Sequence, residues 1–87
     1  MTESEIVVPV VHMNGTAKSD LIEQQSEVYL QLSNVLDAMR AAAPNGRDYY
    51  PVPGLMEKAI AQHMRRMGVI TGLMDEIQQQ VEMINLQ

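Results

Sequence analysis

Apolar residues recur along two stretches of this chain with the period of one helix packed against another. Leu21, Gln25, Val28, Leu32, Val35, Met39 and Ala42 are alternately four and three apart, the heptad spacing of a coiled-coil seam. Ile22, Tyr29, Leu36 and Ala43 repeat every seven residues beside them and widen the stripe beyond what one partner helix covers. The second stretch is more regular. Met56, Ile60, His63, Met67, Ile70, Met74, Ile77, Val81 and Ile84 keep the same alternation, and only His63 is polar.

The breaks between these stretches set the expected elements. Thr16 is a candidate N-cap, with Asp20 and Glu23 complementing the positive end of the helix that follows. Helix 1 is predicted over residues 17–43, where Pro44 stops it. Residues 44–54 form a loop rich in Pro and Gly, and helix 2 is predicted over 55–86. A loop of that length folds the helices back antiparallel. Pairing the seams about the loop places His63 near Val35 and Leu36, and Gln25 near Met74. The last turns of helix 2 then overhang helix 1 and cover what precedes it. Val69, Leu73 and Met83, with the Ile22–Ala43 stripe, are left to join subunits.

Ahead of the hairpin, residues 1–16 are read as an arm and loop. Residues 1–5 look disordered. Ile6 to Val11 is β-prone but interrupted by Pro9, which suits an edge or an extended arm. No second strand candidate exists, so the arm must lie on the helices or pair with its copy in another subunit. The expected fold is all-α: a coiled-coil-like antiparallel two-helix hairpin with an extended N-terminal arm, assembling into a homo-oligomeric helical bundle.

Composition sharpens that expectation. A chain of 87 residues buries only about 60–65% of its unfolded surface. Small proteins usually compensate with disulfides, metals or self-association. The chain has no cysteine and only two histidines, which leaves self-association and predicts no metal or cofactor. Phe and Trp are absent and eight methionines help carry the 46% apolar share, a composition for helix packing more than for a sheet. No apolar run is long enough to span a bilayer, and the acidic N-terminus lacks the regions of a signal peptide. A cytoplasmic protein without membrane contact is expected.

The net charge of −5 disfavours general nucleic-acid binding, but its distribution is uneven. Arg40, Arg47, Lys58, Arg65 and Arg66 face only Asp48 and Glu57 between residues 40 and 66, whereas Lys18 stands against nine acids elsewhere. One end is therefore basic inside an acidic chain.

Two loops carry the candidate chemistry. In Asn45-Gly46-Arg47-Asp48-Tyr49-Tyr50, the Arg47 guanidinium offers a fork for phosphate or carboxylate. Tyr49 and Tyr50 offer stacking faces and hydroxyls, and Arg40, Lys58, Arg65 and Arg66 add positive potential from the flanking helix turns. Alternatively, Arg47 and Asp48 pair with each other while the tyrosines plug the open end of the hairpin. In His12-Met13-Asn14-Gly15-Thr16, an imidazole, an amide and a hydroxyl precede a helix N-terminus, an arrangement suited to an anion or a ribose. Alternatively it is an Asn-Gly turn, which favours positive φ, followed by a cap. The candidate ligand residues are His12, Asn14, Gly15, Thr16, Arg47, Asp48, Tyr49, Tyr50 and Arg66. Helix 1 holds the two loops roughly 40 Å apart, so a composite site would have to form between subunits. His63 and Gln25 suit polar core or register positions. Gly68 and Gly72 suit a close helix crossing between subunits, or a ligand contact. No nucleophile motif, Walker loop, HExxH or paired-carboxylate spacing is present, so no catalytic residue is assigned.

The segments Val11-His12-Met13-Asn14-Gly15-Thr16 and Ala43-Pro44-Asn45-Gly46-Arg47-Asp48-Tyr49-Tyr50-Pro51 resemble those of small phage- and prophage-encoded helical proteins. The likeness covers nearly the whole chain in layout. By analogy with small phage proteins that counter host defence, it implies an oligomeric, non-enzymatic sponge in the cytoplasm of a bacterial host, holding a small anionic nucleotide-like immune signal between subunits. The alternative is a protein-interaction adaptor, or a structural or regulatory phage protein, that docks a partner on its apolar helix faces.

Overall fold

The structure, a computed structural model, describes residues 6–87. The expectation for residues 1–5 lies outside the described residues. Two helices, α1 (Lys18–Ala41) and α2 (Leu55–Asn85), are joined by a loop with one 3-10 turn over Gly46–Asp48. The chain is long and thin, 62 × 29 × 16 Å. Ala42, at the end of α1, lies beside His63 near the start of α2, while Ser26 lies beside Val81, so the helices run antiparallel. Among the described residues there is no strand, and no helix is long and apolar enough to cross a membrane.

The helix ends differ from expectation in detail. Thr16 is not the N-cap of α1. That position is Ala17, with no side-chain cap, and helix 1 starts at Lys18. It ends at Ala41, three residues ahead of Pro44, because the ring disfavours helical geometry in the residue before it. The amides of Ala42 and Ala43 instead donate to the Met39 and Arg40 carbonyls at 3.1 and 3.2 Å. Gly54, the residue before α2, is the only described residue with positive φ, at 81°, so Asn14 and Gly15 turn without it.

The seam of α2 matches the sequence pattern. Every member except Ile60 is at least half-buried, and Ile84 is 0% exposed. The α1 seam keeps Leu21, Gln25, Leu32 and Met39 half-buried as expected but departs from the expected one at Val28, Val35 and Ala42. Leu36 is 6% exposed, whereas Val28 and Val35 stay 42% and 43% exposed. Helix 1 thus turns Ile22 and Leu36 toward α2, together with Gln25, Leu32 and Met39. Larger side chains in the seam bury more apolar area than valines at the same places. Of the Ile22–Ala43 stripe, Ile22 and Leu36 therefore belong to the core, whereas Tyr29 and Ala43 stay exposed with the valines.

The register also differs. His63 lies beside Ala42 and Pro44, two turns further along α1 than Val35. The loop folds back beside the first turns of α2, with Pro44 and Tyr49 near Leu55 and Ala59, so α2 begins beyond the end of α1.

The arm lies on its own helices. Gln80, Ile84 and Gln87 are four and three apart, hence on one side of α2. The Val11 amide donates to Gln87 Oε1 at 2.9 Å, and Gln87 Nε2 donates to the Pro9 carbonyl at 2.7 Å. Gln80 Nε2 donates to the Val7 carbonyl at 3.1 Å, and Lys18 Nζ donates to the Gln87 carbonyl at 2.7 Å. Side-chain amides thus stand in for the neighbouring strand that this β-prone segment lacks. Ile84, between the two glutamines, is covered completely.

Gly68 and Gly72 do not mark a close approach within the chain, since a Cβ at either would meet nothing within 4 Å. Gly68→Ala should therefore stabilise the protein by about 0.5–1 kcal/mol, the helix-propensity difference. Leu36→Ala should destabilise it by about 2–4 kcal/mol. Urea denaturation of the two variants checks both signs.

Candidate functional site

The loop between the helices is built on Asn45. Its Oδ1 accepts from the Arg47 amide at 3.0 Å, and its carbonyl accepts from the Asp48 amide at 3.0 Å. The Gly46 carbonyl then accepts from the amides of Tyr49 and Tyr50 at 3.1 and 3.0 Å. This tight turn sends successive side chains to opposite sides. Tyr49 turns inward and is half-buried, whereas Tyr50 is 78% exposed. Arg47 and Asp48 are exposed and do not pair with each other. The ion pair formed among the described residues is Arg40–Asp37, at 2.8 Å on the surface of α1.

Tyr49 forms one wall of a cleft of about 250 Å³ at the basic end of the hairpin. Ala42, Pro44, Leu55 and Ala59 supply its apolar lining, and Lys58, Gln62, His63 and Arg66 supply its polar groups. Lys58, Gln62 and Arg66 are four residues apart along α2, which puts all three on one side of the helix. Arg66 Nη2 donates to Gln62 Oε1 at 3.4 Å, which holds the guanidinium along the cleft edge. Two cations and no carboxylate line this space, in a chain of net charge −5. No side chain caps the N-terminus of α2, so its first turn adds positive potential at the same place.

Of the residues singled out from sequence, Tyr49 and Arg66 thus share one site. Arg47, Asp48 and Tyr50 lie on the outside of the adjoining loop. His12, Asn14, Gly15 and Thr16 sit at the opposite end of α1, about 36 Å away along a helix of 24 residues. There the Gly15 amide donates to the His12 carbonyl at 3.1 Å, closing a turn. The imidazole of His12 folds over Gly15, where a Cβ would come within 2.7 Å of Nε2. His12, Asn14 and Thr16 are exposed and line none of the clefts described here.

Gln62 and His63 are the cleft members that the sequence does not assign to a site, and Lys58 enters there only as one of four flanking cations. The signal was the four-residue spacing of Lys58, Gln62 and Arg66, which repeats away from the apolar seam. His63 was taken for a core residue; it is half-buried at the boundary between seam and cleft. A second groove, of about 280 Å³, lies between Ser26, Tyr29, Ile77, Gln78 and Val81 and holds no charged group. Among the described residues no three His, Asp or Glu side chains gather as a metal cage. Comparison of the chain with protein-family models, curated proteins and solved structures finds no match.

The two tyrosines should separate in a stability measurement. Tyr49→Ala removes a cleft wall packed on Pro44 and Leu55 and should cost about 1–3 kcal/mol. Tyr50→Ala should stay within about 0.5 kcal/mol of the parent. Thermal unfolding of the two variants is the test.

Proposed function

We propose that this protein is a non-enzymatic, phage-type binder that sequesters a small anionic, nucleotide-like ligand, acting in the cytoplasm of a bacterial host as a homo-oligomer. The supporting observation is the cleft between Tyr49 and α2. It combines an aromatic wall, two cations, an amide and an imidazole with no carboxylate. Lys58 and Arg66 suit a phosphate, the Tyr49 ring suits a planar base, and Gln62 and His63 supply hydrogen bonds for orientation. At about 250 Å³ the cleft is smaller than the roughly 300–1,000 Å³ of pockets that enclose a ligand. It therefore suits part of a nucleotide-like molecule, with the remaining wall supplied by another subunit. The His12 loop, distant within one chain, is the candidate for that second wall.

A protein-interaction adaptor is the second reading. It is favoured by the apolar side chains of Val28, Val35, Val69 and Leu73, which stay 42–55% exposed.

Isothermal titration calorimetry against nucleoside phosphates and cyclic di- and trinucleotides distinguishes the two. At least one member of the panel should bind. Lys58→Ala and Arg66→Ala should each weaken that binding about tenfold, as expected for loss of a charged hydrogen bond. Arg47→Ala, on the outer side of the loop, should change it less than about fivefold. The nucleotide should be recovered chemically unchanged. Silence from the whole panel, with stoichiometric capture of a protein partner by the Lys58→Ala and Arg66→Ala variants, would favour the adaptor.

A further inference from the structure

The outer side of α2 carries a stripe that is bare at its centre and meets the cleft and the arm at its two ends. Lys58, Gln62, Arg65, Val69, Leu73, Glu76, Gln80 and Met83 follow one another at intervals of four and three, so they form one face. Gln62 borders the cleft and Gln80 borders the arm, which fixes the two ends of the face on the molecule. Its centre is apolar, with Val69 55% and Leu73 43% exposed. Ala42 lines the cleft on this same side of the hairpin. Val35 and Val28, seven and fourteen residues before it, extend the apolar patch along α1.

The charges on this face are arranged antisymmetrically. Arg65 stands one turn before Val69, and Glu76 one turn after Leu73. Neither has an ion-pair partner in its own chain among the described residues. A two-fold axis crossing α2 between Val69 and Leu73 would set Arg65 against the partner's Glu76 and Val69 against the partner's Leu73. The centre of the stripe and the charges flanking it thus meet reciprocally, as an isologous interface requires.

The surface area points the same way. The chain exposes 6700 Å², whereas a compact monomer of 9.7 kDa would expose about 5,100 Å². The excess, about 1,600 Å², is about twice the roughly 800 Å² that each partner buries in a standard interface, so the face has area to spare for one.

We infer that a second copy of this chain docks antiparallel on this face, with reciprocal Arg65–Glu76 ion pairs flanking a Val69–Leu73 centre, to give a four-helix bundle. The antiparallel arrangement sets the cleft end of each protomer against the arm end of its partner. The His12 loop of one copy then approaches the cleft of the other. Only this last consequence rests on the ligand-binding reading; the dimer itself does not. Arg66 stays with the cleft, while Arg65 and Glu76 belong to the interface.

Charge reversal with sedimentation analysis tests the pairing apart from any ligand. The parent should dimerise, or form a larger even-numbered assembly that contains the dimer. Arg65→Glu and Glu76→Arg should each weaken association on the order of tenfold or more, because like charges then face each other twice. The double variant should recover parental association to within a few-fold. Circular dichroism should show unchanged helix content in all three, since both side chains are exposed. A parent that stays monomeric would overturn the inference and leave the face to a different protein. An assembly indifferent to both single reversals, or a double variant that stays dissociated with its helices intact, would overturn it equally. None of these outcomes depends on whether a nucleotide binds.

Discussion

A hairpin of two helices has only one seam, and each helix can bury one stripe in it. That geometric limit governs this protein. Of the described residues only Leu36 and Ile84 are fully buried, although the chain is 46% apolar. The seam takes one stripe from each helix, the arm covers the far end of α2, and the loop covers its first turns. Val28, Val35, Val69 and Leu73 remain outside because no third layer exists within the chain. Burial on the order of 25 cal/mol per Å² is what a small fold relies on, so a bare apolar face of this extent is a large unrealised contribution.

Charge follows a separate logic on the same scaffold. The seam is uncharged, and the acidic residues are spread along solvated sides of the helices. The basic residues collect where the loop and the uncapped start of α2 meet. Field lines from Lys58, Arg66 and the free helix end converge on a small cleft with low-dielectric walls, which concentrates anions there. The fold positions these groups by a simple device: α2 outruns α1 at this end, and the loop must turn back over it. The cleft is the space left between that overhang and Tyr49.

Much of the architecture was legible in the sequence because heptad spacing is a direct record of helix-to-helix packing. The α2 seam could be read position by position and the antiparallel hairpin from the loop, whereas the arm was left with two possible seats, its own helices or a copy in another subunit. The inward turn of Leu36 in place of Val35 was not legible, since the two are adjacent and both apolar; only the volume each buries decides between them. The register was missed because loop length does not reveal that the loop packs beside α2. At the site, Tyr49 and Tyr50 are chemically alike in sequence, and the turn around Asn45 alone sends one inward. Gln80 and Gln87 gave no signal, because glutamines at the end of a polar helix look like solvated surface until a backbone lies against them.

The arm's bonds join residues 73 to 78 positions apart, whereas the two helices are connected by a short loop. Closing a long loop is entropically more demanding than closing a short one, and here its far anchor does not exist until α2 has formed through its last turn. The helices themselves meet through residues far apart in sequence, such as Ser26 and Val81, so the arm adds a further long-range tie to a pairing that already has many. Gln80 and Gln87 thereby fasten the last turns of α2 to backbone from near the start of the described chain, and the end of the helix where fraying would begin is held from two directions.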